Sequence, residues 1–172
     1  LVKWARKGAA ILIDPWTHLQ VARVFGRQEI RPIVDAAPWV MFKYLNDYLK
    51  TGLSRKERAS ILVHHYTLLS NRANEQFVRT IIDGRVELWQ QIVGDRTYRI
   101  FLTFPHTTHS EGDLALVFRA DAPDIYTLHF SFGPGTIASL RDTNVMYIAR
   151  VQGKGGALDR IRNATKDCLD IA

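Results

Sequence analysis

Between residues 98 and 132 apolar and polar side chains take turns, and that two-residue period constrains the fold more than any other feature. YRIFLTF puts Tyr98, Ile100, Leu102 and Phe104 on one side. DLALVFRA does the same with Leu114, Leu116 and Phe118. DIYTLHFSF does so with Tyr126, Leu128, Phe130 and Phe132, leaving Thr127, His129 and Ser131 opposite. Successive side chains of a strand point to opposite faces, so each stretch predicts a strand buried on one face, the habit of antiparallel sheet. The connections PHTTHSEG and DAPD are short enough for hairpins, and NVMYIARVQ, 144–152, reads as a further strand.

Residues 1–84 have a different texture, with helical rather than strand spacing. Pro38 opens PWVMFKYLNDYL, placing either Trp39, Phe42 and Leu45 or Tyr44, Tyr48 and Leu49 on one side. Proline suits a first helical position because its missing N–H has no partner there. Ser54 and Glu57 have the spacing of a capping box, with Leu62, His65 and Leu69 following as a buried stripe. Arg55, Lys56 and Arg58 then crowd the first turn, the wrong end of the helix dipole for cations, and would sit better beside an acidic partner. A third helix is expected over 73–82, ending at Asp83-Gly84. After the sheet, a last helix is expected to align Leu158, Ile161, Thr165, Cys168 and Ala172. The order predicts an α+β chain: a helical region over 1–84, then an antiparallel sheet of about four to six strands and a C-terminal helix over 85–172.

Length and composition set outer bounds. The 172 residues suffice for a real core, and 47% hydrophobic residues exclude a disordered chain. With 23 Lys and Arg against 17 Asp and Glu, the net charge of +6 favours anionic partners: a phosphate-bearing cofactor, lipid headgroups or nucleic acid. Nucleic acid ranks last, because the aromatics fall on the faces expected to be buried. A single cysteine, Cys168, rules out an internal disulfide and fits a reducing compartment, so a cytoplasmic location is expected. No apolar run approaches a transmembrane length. The start at Leu1 and the end inside an unfinished helical pattern, CLDIA, suggest a piece of a longer protein.

HHY on a helix, then EGDLALVF, DIYTLHFSF, YIARVQG and ATKD in that order, resemble the VirK/YbjX family of Gram-negative bacteria, a domain of unknown function. The resemblance runs from about Pro38 to the chain end. It implies a longer native protein linked to virulence, lipid A and envelope homeostasis, and resistance to antimicrobial peptides, with a peptide or envelope-related partner. It names no reaction. It also implies that the Glu111-Gly112 pair belongs to a recurring motif.

Chemistry-bearing residues fall in four places. VQGKGGALDRIRNATKD places Gly153, Gly155 and Gly156 between a strand and a helix, where backbone N–H groups and the dipole hold phosphate well. Arg150 and Lys154 add charge. The spacing fits neither a dinucleotide fingerprint nor a P-loop. It is similar to the pyrophosphate loop of GNAT acyltransferases, with Gln152, Gly153 and Gly155 in the corresponding places. That similarity implies acyl-CoA as cofactor and an amine or peptide acceptor. A plain strand-to-helix hinge is the competing reading, and splayed strands leading into 152–157 would decide for the enzyme. HTTHSE brings His106, His109 and Glu111 close in sequence, but a hairpin loop offers no fixed ligand face, so no metal is expected. Glu111 and His129 are the candidates for a general base. His65, on its apolar stripe, is expected to be a hydrogen-bonded, buried histidine.

Overall fold

Asp14 and Pro15 cut the N-terminal helical run in two. In the computed structural model, which describes residues 2–49, 52–106, 111–141 and 143–169, α1 spans Val2–Ile13 and α2 spans Pro15–Phe25. The Asp14 carboxylate accepts from the Thr17 N–H at 3.2 Å and the Thr17 hydroxyl at 2.7 Å. One of the orphan donors of a helix start is thereby satisfied. α3 follows at Arg31–Ala36, α4 at Arg55–Arg72 and α5 at Glu75–Asp83.

The start of α4 is as its sequence predicts. Ser54 accepts from the Glu57 N–H and Glu57 accepts from the Ser54 N–H, a complete capping box. The Pro38 segment differs from expectation. It is a 3₁₀ helix over Pro38–Leu45, not an α-helix, and its buried side chains are Val40, Lys43 and Tyr44. Tyr48 lies beyond its end and is fully buried.

Five antiparallel strands follow in the order β1-β2-β3-β4-β5: Val86–Val93, Arg96–Thr103, Leu114–Ala120, Asp124–Pro134 and Asn144–Gly153. β1 was not legible, because a bulge between Glu87 and Trp89 breaks its alternation. α6, Leu158–Leu169, closes the described chain.

Pairing sorts the sheet into two faces. Leu102, Leu116 and Leu128 lie opposite one another, as do Leu114 and Phe130, and these pack under α4 and α5 with Ile61, Leu62, Tyr66, Val78 and Ile81. Each fully buried isoleucine, such as Ile61 or Ile81, contributes roughly 1.5–3 kcal/mol of transfer free energy. The other end of the same face carries Tyr98, Phe118, Ala120 and Tyr126, covered by Ile161, Ala164 and Cys168 of α6. The expected α6 stripe needs correcting. Leu158 and Thr165 are exposed, and the buried line runs through Ala157, Ile161, Ala164 and Cys168. Ala172 lies outside the described residues.

Candidate functional site

The opposite face of the sheet carries a mixed set of side chains, with Ala115 and Val117 buried at its centre. Its rows can be read from the register. One row runs Thr103, Ala115, His129, Arg150, and the next runs Phe101, Val117, Thr127, Gln152. Small Ala115 and Val117 leave room in the middle of the face for the longer side chains beside them.

Glu111 joins the first row from the β2–β3 connection. One carboxylate oxygen, Oε1, accepts from the Arg150 guanidinium. The other, Oε2, lies 3.0 Å from His129 Nδ1. That second approach is an electrostatic contact and not an aligned hydrogen bond: both Oε2 and Nδ1 are buried without a hydrogen-bond partner. Burial pushes the His129 ring below the usual histidine range, Glu111 pulls it back up, and Arg150 and Lys43 push it down, with a net lowering. The ring is therefore neutral at neutral pH, beside a carboxylate able to stabilise the imidazolium formed when it takes up a proton.

Glu111 is held in place by a second, fully buried network. Lys43 Nζ donates to the carbonyls of Glu111 and Gly112 at 2.8 and 3.3 Å, and to Asp113 Oδ1 at 2.9 Å. Asp113 also accepts from the hydroxyls of Tyr48, Tyr66 and Ser131, and its own N–H donates to Ser131 Oγ. Burial raises the Asp113 carboxyl, but Lys43, His65 and these hydrogen bonds outweigh it and hold the group below its ordinary value. Burial and the Asp113 charge push the Tyr48 and Tyr66 phenols well up, so both remain donors. Gly112 permits the close approach. A Cβ there would meet Phe130 N, O and C at 2.3, 2.4 and 2.5 Å. Only glycine lets the segment lie flat on β4.

The structure thus brings together three of the residues singled out from sequence: Glu111, His129 and Arg150. Gln152 shares their face one row away, opposite Thr127. The glycine turn does not join them. Arg150 reaches Glu111 instead of the turn. The Lys154 N–H donates to the Ile125 carbonyl and the Ala157 N–H to the Lys154 carbonyl. Gly155 is open to its surroundings, and Gly156 takes a φ of +73° that favours glycine.

β5 stays paired with β4 from Asn144 to Gly153, where Gly153 faces Tyr126. The splay expected of an acyltransferase is therefore missing, and the GNAT-like fold is not supported. His106 Nε2 contacts the Ile82 carbonyl at 2.7 Å, away from Glu111, and His109 lies outside the described residues. His65 is buried, as expected, and its Nδ1 accepts from the Phe132 N–H at 3.0 Å. Burial lowers its pKa to about 4, so Nε2 carries the proton, and that atom has no partner.

The Lys43–Asp113 network escaped sequence reading. Its only signals are a lysine inside the apolar run WVMFKYL and an aspartate between Gly112 and an apolar strand. A cavity of about 780 Å³ lies elsewhere, lined by Glu75, Arg79, Asp83 and Arg85 among others. It is a weaker candidate, since Arg79 pairs with Glu75 and Arg85 with Asp124.

A family model described as a protein of unknown function (DUF535) matches residues 9–170. The chain belongs to this family. The match is consistent with the VirK/YbjX resemblance and takes in every residue of the Glu111 site and of the Lys43–Asp113 network. No curated protein and no solved structure matches the chain. Membership of the DUF535 family therefore fixes no reaction. Among the described residues of this member, no helix is long and apolar enough to cross a membrane.

Proposed function

We propose that Glu111, His129 and Arg150 form a proton-transfer centre on the sheet face that carries Ala115 and Val117. His129 takes a proton from a hydroxyl or amine of the substrate, Glu111 stabilises the resulting imidazolium, and Arg150 fixes the carboxylate. The observation that carries this reading is the position of Glu111. Its two oxygens are divided between a guanidinium and a neutral imidazole, while Lys43 holds its backbone. A neutral histidine paired with an oriented carboxylate is the usual composition of a general base.

The setting of this chemistry is cell-envelope homeostasis and resistance to antimicrobial peptides, as the VirK/YbjX resemblance implies. The test is complementation of a Gram-negative strain lacking its own family member, scored by survival against a cationic antimicrobial peptide. His129→Gln and Glu111→Gln should fail to restore resistance while melting within a few degrees of wild type. Full complementation by both folded variants would reject the proton-transfer centre. Failure of the wild-type gene to restore resistance would reject the envelope setting.

A further inference from the structure

The corner where α1 meets α2 carries the most exposed large apolar side chains of the described residues. Leu12, Ile13 and Trp16 are 82%, 79% and 73% exposed. They lie within five residues of sequence, with Leu19 half-exposed one turn beyond Trp16 on α2. A cluster of this kind on a surface marks an interaction site more often than a chance exposure does.

Cations flank the corner. Arg55, at the start of α4, reaches the Ala10 carbonyl at 3.4 Å, two residues before Leu12. A cavity of about 560 Å³ is lined by Lys7, Ala10, Arg55 and Arg58, together with Leu45, Asn46 and Asp47. The Asp14 carboxyl, held low chiefly by the Thr17 hydroxyl and N–H, also feels Lys56 and Arg55. Two of the three nearby carboxylates are occupied locally: Asp14 caps α2 and Glu57 caps α4. Asp47 faces Arg58 at 3.4 Å. The side chain of Arg58 further holds a buried Nε without a hydrogen-bond partner. Arg58 also donates to the Asn46 carbonyl, so Arg55 and Lys56, at the positive end of the α4 dipole, are the cations left to meet an external anion.

We propose that this corner docks on an anionic lipid bilayer. Trp16, Leu12 and Ile13 enter the interfacial region, and Arg55 and Lys56 meet lipid phosphates. Tryptophan favours that region because its ring is apolar with a polar edge, and aliphatic side chains beside basic ones are the composition of a surface-seated segment. A second copy of the chain fits less well. A symmetric contact through this corner would set the basic clusters of the two copies against each other. The corner shares no residue with the Glu111 site, so lipid docking and proton transfer can fail independently.

The test is flotation of the chain with vesicles of phosphatidylcholine alone and of an equal mixture with phosphatidylglycerol. The chain should float with the mixed vesicles only, and added salt should release it. Arg55→Gln and Lys56→Gln should each weaken binding roughly fivefold, the value of one surface cation near anionic lipid. Leu12→Ser with Trp16→Ser should abolish flotation, and as these side chains are exposed, circular dichroism should show an unchanged fold. No flotation, equal flotation with both vesicles, or variants that float like wild type would overturn the proposal. So would a dimer that dissociates on Trp16→Ser while wild type ignores vesicles, which would give the corner to a protein contact.

Discussion

Lys43 Nζ stands 2.9 Å from Asp113 Oδ1 with 2% and 0% of the two side chains exposed. The pair ties the Pro38–Leu45 segment to the connection that carries Glu111. Two charges out of water are costly to hold, and the pair is tolerable here because its remaining hydrogen-bonding capacity is used. Lys43 has two carbonyls besides the carboxylate, and Asp113 has three hydroxyls besides the ammonium.

Removing one partner should therefore cost far more than removing both. Lys43→Met leaves a buried carboxylate without its counter-charge and should destabilise the chain by roughly 3–5 kcal/mol. Adding Asp113→Asn should recover part of that loss, because the carboxamide carries no charge to leave unpaired. Urea unfolding of Lys43→Met, of Asp113→Asn and of the double variant measures the difference. A double variant as unstable as the sum of the single ones would show that the pair does not act as a unit.

Gly112→Ala tests the close approach on β4. The added methyl group has nowhere to go without moving backbone, since its contacts are Phe130 main-chain atoms. A loss of roughly 1–3 kcal/mol is expected, the ordinary cost of overpacking. The same substitution at Gly155, where nothing lies within 4 Å of an added Cβ, should change stability by less than about 0.5 kcal/mol. Thermal melts of the two variants compare the positions directly. Equal stability would remove the argument that Gly112 is there for space.

How much of this was written in the sequence depends on whether local pattern or distant partners decide each feature. The two-residue period of β2, β3 and β4 is a local consequence of one buried face, and so those strands were legible. The Ser54–Glu57 box is equally local. The 3₁₀ path of Pro38–Leu45 was not, because Lys43 takes its place from carbonyls nearly seventy residues away. Glu111 and His129 could be named singly from residue type. Their meeting depends on the β3–β4 register and on Gly112, which no spacing along the chain encodes. The glycine turn is the opposite case: its local pattern suits a phosphate, but nothing along the chain tells that one of its two neighbouring cations, Arg150, pairs with Glu111.

His65 should make the fold sensitive to mild acid. Its folded pKa, lowered to about 4 mainly by burial, lies below the unfolded value of 6.5. The unfolded chain thus binds a proton first as pH falls. The stability contributed by keeping the ring neutral is fully present above about pH 6.5 and is lost progressively down to about pH 4, a total of about 3 kcal/mol. Asp113, whose carboxyl is also lowered, adds its own loss only at still lower pH. His65→Gln should be less stable than wild type at pH 7, having lost a buried side chain, yet show a flatter decline between pH 6.5 and 4. Parallel curves for the two proteins would remove His65 as the source.

The last prediction concerns the electrical coupling of the proposed centre. Burial lowers the His129 ring, Glu111 raises it, and Arg150 lowers it. Glu111→Gln removes the only upward influence among these and should drive the ring's titration further below the ordinary histidine range. Arg150→Gln removes a downward influence and at the same time frees the Glu111 carboxylate from its guanidinium, so the ring should titrate higher than in wild type. Heteronuclear NMR of the imidazole nitrogens across pH reads both shifts in the folded chain. Opposite displacements are the signature of a histidine whose proton affinity is set by a carboxylate and a cation acting against each other. A general stability effect would move both variants in the same direction. If neither variant displaces the ring, Glu111 and His129 are neighbours in space without acting on one another, and the proton-transfer reading falls with them.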